Sequence, residues 1–146
     1  MLRPLEQVDE SLKLHKKILK YRQRILGDWH MDVQSSCAVI GFIHLEQDEH
    51  ALALACFNQV VEIIRHNLGE KHRKLAQAYF YIGCCKRALG DMQGEFSILS
   101  KAYTICGDVN MHGAEELAKM LIGRLGFITV LEHPGTVLVH HEISNR

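Results

Sequence analysis

Ten histidines and five cysteines are the side chains of this 146-residue sequence that could act as metal ligands or nucleophiles. His133, His140 and His141 cluster near the C-terminal end, but no thiolate or carboxylate stands at a familiar ligand spacing from them. Cys84 and Cys85 are adjacent. On a helix, neighbours point about 100° apart, which prevents them from gripping one ion together. The Cys-x-x-Cys spacing is absent, as are a Gly-rich phosphate loop, a Gly-x-Ser-x-Gly elbow and a His-Glu-x-x-His pair. A Cys–His couple could be assembled from almost any cysteine here, so the pairing carries no information. The sequence predicts no metal site, no cofactor and no catalysis. Cys37, Cys56, Cys84, Cys85 and Cys106 are odd in number and lie inside helical patterns. They read as buried thiols of a reducing compartment, by default the cytoplasm.

Charge narrows the partner classes. Lys plus Arg equals Asp plus Glu, 17 each. There is no global basic field of the kind that attracts nucleic acid or anionic lipid. No apolar run approaches the ~20 residues that span a bilayer, and the N-terminus lacks a signal-peptide pattern. Neither nucleic acid nor membrane is expected as a partner. Residues 1–27 do carry a local excess of basic side chains, with Lys13, Lys16, Lys17, Lys20 and Arg24 at helical spacing. That row reads as a solvated helix face, the alternative being a patch for acidic peptide or lipid headgroups.

The elements that hold these residues repeat. Shifted by about 42 residues, Leu26-Gly27-Asp28 falls on Leu68-Gly69-Glu70, His30 on His72, Ile40-Gly41 on Ile82-Gly83, and Phe57, Val60 and Ile63 on Leu99, Ala102 and Ile105. A third, partial copy places Leu121-Ile122-Gly123 in register with Tyr81-Ile82-Gly83, and a half copy, Leu14, Ile18 and Tyr21, stands at the start. Each period holds two helical stretches. The first, helix A, is predicted over 31–46, 72–88 and 111–126, and the second, helix B, over 6–25, 50–66 and 92–106. In 50–66, Ala53, Leu54, Phe57, Val60, Val61 and Ile64 recur at steps of three and four, the apolar stripe of a helix rather than the alternation of a strand. Gly41 and Gly83 recur inside helix A, where glycine costs a helix about 1 kcal/mol relative to alanine. Their recurrence predicts a close approach of helix B, which a bulkier residue at Gly83 would overpack by ~1–3 kcal/mol.

Leu-Gly-x-x-His, an Ile-Gly-containing first helix, a turn, then Ala-x-x-x-Phe-x-x-Val resembles the tetratricopeptide repeat in its 42-residue form, as in kinesin light chain. The resemblance covers roughly residues 9–126 and is best over Leu68 to Ile105. It implies an all-α fold, a tetratricopeptide-like α-solenoid of about 2.5–3 open-ended repeats over 1–126, followed by a C-terminal extension, 127–146. It also implies that the A helices line a concave groove for a partner peptide or helix. Aligned onto this sequence, the groove residues are Ser35, Ala38, Phe42, Leu45 and Glu46, then Gln77, Phe80, Cys84, Arg87 and Ala88. Three departures stand out. The paired asparagines of kinesin-light-chain repeats are Ala38-Val39 and Phe80-Tyr81 here, so a cargo-peptide clamp built on those amides is not expected. The usual His-Pro is His30-Met31 and His72-Arg73. The small residue early in helix B is kept as Ala53 but is Glu95 in the next repeat.

The expected function is therefore a non-catalytic scaffold or adaptor that binds a protein or peptide in this largely apolar groove, with Glu46 and Arg87 as its charged rim. The alternative is an assembly or oligomerisation element, a fragment of a longer repeat array or the regulatory part of a larger protein. The pattern begins and ends in mid-repeat, which fits either a fragment of a longer array or self-association through the open repeat ends. After residue 126, Phe127-Ile128-Thr129-Val130-Leu131 and Val137-Leu138-Val139 flank Pro134-Gly135. That stretch reads as a hairpin, a cover over the end of the stack, or a disordered extension.

Overall fold

The computed structural model describes residues 4–108 together with 119, 123 and 124. Among the described residues five helices follow one another: α1 (Pro4–Leu26), α2 (Met31–Glu46), α3 (His50–Leu68), α4 (Arg73–Ala88) and α5 (Met92–Asp108). Each packs chiefly against the next in the chain, α1 on α2, α2 on α3, α3 on α4 and α4 on α5. That nearest-neighbour order is the packing of a solenoid. Helices A of the first two repeats are α2 and α4, and helices B are α1, α3 and α5. The expected helix over 111–126 and the extension 127–146 lie outside the described residues, except that Lys119, Gly123 and Arg124 are helical.

The turns repeat as the sequence does. Between repeats, Gly27 and Gly69 take positive φ angles of 85° and 81°. Within the hairpins, Asp48 and Gly90 occupy the same register position and both are left-handed, with φ of 58° and 80°. Glycine bears that conformation without strain, and Asp is among the few side chains that tolerate it. The recurring histidines prove to be helix caps. His30 Nδ1 accepts from the Asp32 N–H at 3.0 Å, and His72 Nδ1 accepts from the Lys74 N–H at 3.1 Å. Each satisfies one of the amide donors that a helix start leaves without a partner. At α5 the same task falls to Asp91, which accepts from the Gly94 N–H at 2.9 Å. That bond, helped by nearby Lys86, holds the Asp91 carboxyl below its ordinary pKa.

The core runs between the two helix layers: Val33 and Cys37 of α2, Ala53, Phe57, Val60 and Ile64 of α3, Leu75, Tyr79 and Ile82 of α4, Leu99 and Ala102 of α5. Gly41 and Gly83 make the predicted close approaches. A Cβ on Gly41 would stand 3.0 Å from the Phe57 ring and 3.2 Å from Cys56, and one on Gly83 would stand 2.6 Å from Leu99 Cδ2. Leu99 is buried, and its side chain would have to leave its packed position to make room. Gly83→Val should therefore lower stability by about 1–3 kcal/mol despite the better helix former it introduces. Gly41→Val should cost less, because the gap there is wider. Urea unfolding of the two variants checks both the sign and the order.

One edge of the stack is tied by polar contacts between successive turns. Asn67 Nδ2 donates to the Trp29 carbonyl at 2.6 Å, and the Trp29 indole stacks on His66 with ring centroids 4.6 Å apart. Arg65 donates to the Tyr79 hydroxyl at 2.7 Å and pairs with Glu62 at 3.1 Å and Glu70 at 3.3 Å.

Candidate functional site

Helices A of consecutive repeats meet at Phe42 and Tyr81, and one row of residues from each lines a shared surface. From α2 these are Gln34, Ser35, Ala38 and Phe42, and from α4 they are Arg73, Lys74, Gln77, Phe80 and Tyr81, with Phe57, Val60 and Ile64 of α3 as floor. They enclose an open cleft of about 550 Å³. Its wall is aromatic. Phe42 meets Tyr81 edge-on at 4.7 Å and Phe57 at 5.3 Å, Phe57 stacks on Tyr81 at 5.4 Å, and Phe80 meets Tyr81 at 5.8 Å. Such offset and T-shaped contacts hold rings in place and leave faces and edges for an incoming apolar side chain. Lys74 and Arg73 supply positive charge at one end, and among the described residues no carboxylate lines the cleft.

A second cleft of about 420 Å³ continues from Phe80 along α4 through Cys84 and Arg87 to Glu95 and Leu99 of α5 and to Gly123 and Arg124. Phe80 is common to both. Glu95, 2% exposed, is held by Arg124, whose Nε donates to Oε1 and whose second guanidinium nitrogen donates to Oε2 at 3.1 Å. The glutamate that replaces the usual small residue thus has a bidentate partner 29 residues further on.

Seven of the ten predicted groove residues fall on these two clefts: Ser35, Ala38, Phe42, Gln77 and Phe80 on the first, Cys84 and Arg87 with Phe80 again on the second. Leu45, Glu46 and Ala88, at the C-terminal ends of α2 and α4, line neither. Sequence reasoning missed Arg73, Lys74, Gln34 and Tyr81. Arg73 was within reach: the row Gln77, Phe80, Cys84, Arg87 continues one turn back to it. A further cleft of about 420 Å³ lies between α3 and α5, lined by Trp29, Glu62, Arg65, Tyr79 and Ile98 among others. Its guanidinium is engaged by Tyr79, Glu62 and Glu70, and none of the predicted groove residues lines it.

The cysteines are held toward the protonated thiol. Burial pushes Cys37 and Cys85 up to about 11 and raises Cys56, Cys84 and Cys106 as well. A thiol raised in this way stays protonated near neutral pH, and the thiolate is the reactive form. All five are free. Among the described residues no group of three His, Cys, Asp or Glu could hold a metal ion. No helix among them is long and apolar enough to cross a membrane.

A family model described as tetratricopeptide repeat matches residues 34–108, just over half of the chain. The chain belongs to the tetratricopeptide repeat family. Repeats of this family generally mediate protein–protein interaction. Solved structures agree on the fold. BtubC (BKLC) of P. vanneervenii is similar at 14% identity with a TM-score of 0.79, over 94% of this chain and 54% of that one. A Podosopora anserina protein described as a putative kinesin light chain with nearly identical TPR-like repeats is similar at 16% identity with a TM-score of 0.71, over 96% of this chain and 65% of that one. A single-substitution form of that protein gives a TM-score of 0.72. This tetratricopeptide chain therefore spans between half and two-thirds of the length of those neighbours. No curated protein sequence matches it. The repeat register and the kinesin-light-chain likeness expected from the sequence both stand.

Proposed function

We propose that this chain is a non-catalytic docking module that takes an extended peptide or helix of a partner protein into the concave face of α2 and α4. The observation that carries the reading is the convergence of Ser35, Ala38, Phe42, Gln77 and Phe80, drawn from two helices 42 residues apart in register, on one open aromatic cleft. An apolar anchor would seat against Phe42, Phe80 and Tyr81. Gln34, Ser35 and Gln77 present amide and hydroxyl groups that can bond the backbone of such a segment. Arg73, Lys74 and Arg87 give the groove a positive rim, and Arg87 lies on the second cleft, which continues the first beyond Phe80. The free thiols suit a reducing, cytoplasmic setting.

Phe80→Ala combined with Arg87→Glu should abolish partner capture while the helical circular dichroism stays that of the parent. Anchor residues of interfaces typically carry about 2 kcal/mol or more each, roughly a thirtyfold change in affinity. Proximity labelling and co-purification from cells, parent against double variant, make the comparison. If the folded double variant retains every partner of the parent, the groove is not the docking surface.

A further inference from the structure

The polar groups of the groove gather at one end of it. Gln34 and Ser35 stand in the first two turns of α2, and Arg73, Lys74 and Gln77 in the first two turns of α4. Arg73 and Lys74 only donate, and the Ser35 hydroxyl donates to the Met31 carbonyl at 3.2 Å. Gln34 and Gln77 make no side-chain hydrogen bond among the described residues, which leaves their amide N–H groups free to donate. Beyond them the walls are Ala38, Phe42, Phe80 and Tyr81 over a floor of Phe57, Val60 and Ile64. There the backbone groups of α2 and α4 are used within the helices, and among the described lining residues only the Tyr81 hydroxyl is left to bond an occupant.

An extended segment brings one N–H and one C=O per residue, and each such group turned against the aromatic wall loses water without gaining a partner. A helix satisfies these groups internally except at its ends. At its C-terminal end the last four carbonyls are left over and a partial negative charge collects. Donors at one end of a groove and rings along the rest are complementary to that arrangement. We propose that the occupant of the groove is an amphipathic helix of a partner protein, laid antiparallel to α2 and α4 with its C-terminal turn at Gln34, Arg73, Lys74 and Gln77. This rests on the groove being the docking surface, and adds the form and direction of what docks there. Apolar side chains of the partner at steps of three and four lie against Phe42, Phe80 and Tyr81. Carboxylates in or just after its last turn face Arg73 and Lys74, where no carboxylate of this chain lines the cleft among the described residues. Arg87 of the second cleft lies 14 residues beyond Arg73 on α4, or ~21 Å, so about four turns of a partner helix fill both clefts.

Selection of displayed random peptides of about 16 residues on the full chain supplies the probes. Each enriched peptide is then titrated against the parent and against the folded Phe80→Ala, Arg87→Glu double variant. The enriched sequences should carry apolar residues at i, i+3 or i+4 and i+7, with Asp or Glu toward the C-terminal end rather than the N-terminal one. They should gain helical circular dichroism on binding, and proline at their centre should weaken them by more than about a hundredfold. Lys74→Glu should weaken them by on the order of tenfold, and lysine in place of their C-terminal acidic residues should restore the affinity for that variant. Peptides that lose binding to the double variant yet alternate every second residue, or tolerate the central proline, are extended: they overturn the helix and leave the groove standing. Acidic residues required at the N-terminal end overturn the direction. A selection that yields only peptides indifferent to Phe80 and Arg87 overturns the groove as docking surface, and the helix with it.

Discussion

Arg124→Ala should destabilise the chain by about 3–5 kcal/mol, the usual consequence of removing one member of a buried ion pair. The loss arises on the other side of the contact. Glu95 is 2% exposed and both its carboxylate oxygens accept from Arg124. Without that guanidinium, a charge is left in the packed layer between α4 and α5, away from water. Glu95→Ala should cost distinctly less, because the Arg124 side chain is 21% exposed and can turn its charge to solvent. Alanine is also what the preceding repeat carries in the same register, as Ala53. Removing both partners should recover most of what Arg124→Ala loses. Urea unfolding of the two single variants and the double variant gives the coupling directly. Equal costs for the two single substitutions would mean that burial of the glutamate is not the source of the effect.

Phe57→Ala is the second large effect expected, about 3–5 kcal/mol, from lost burial and the cavity left behind. Phe57 is 1% exposed, lies beneath Gly41 and stacks on Tyr81. It also supports Phe42 edge-on. The loss should therefore appear twice: as an earlier unfolding midpoint, and as weaker partner capture even where the variant is still folded. Phe57→Leu retains most of the volume and should cost under about 1.5 kcal/mol if the site repacks. Thermal and urea unfolding of both variants, followed by binding under folded conditions, separates the scaffold effect from the groove effect.

The helix limits were nearly all legible in the sequence. Stretches expected over 31–46, 72–88 and 92–106 are α2, α4 and α5 at Met31–Glu46, Arg73–Ala88 and Met92–Asp108. Repetition supplied what periodicity alone could not. Helix α2 is apolar nearly all round: Val33, Cys37 and Ile40 are buried, yet Val39 and Phe42 are exposed. No single stripe marks its groove face, and only the resemblance to the tetratricopeptide family points to Ser35, Ala38 and Phe42. The close approaches at Gly41 and Gly83 were legible because a mid-helix glycine that recurs in register needs a packing reason. What a contact joins across the stack was not legible. Glu95 stood out as the wrong kind of residue for its position, but nothing in the spacing named Arg124 as its partner. Nor does composition distinguish Arg73 and Lys74, which edge the cleft, from the solvated lysines of α1.

Trp29 is the only tryptophan in the sequence, and it sits at the joint between successive turns, stacked on His66, with its carbonyl held by Asn67. Its fluorescence is therefore a gauge of how one hairpin is seated on the next, blind to the groove and to the interior of either hairpin. In an array whose units part from their neighbours before they melt, indole emission would change first, with the far-ultraviolet signal trailing behind. Coincident traces would mean instead that the hairpins stand or fall together.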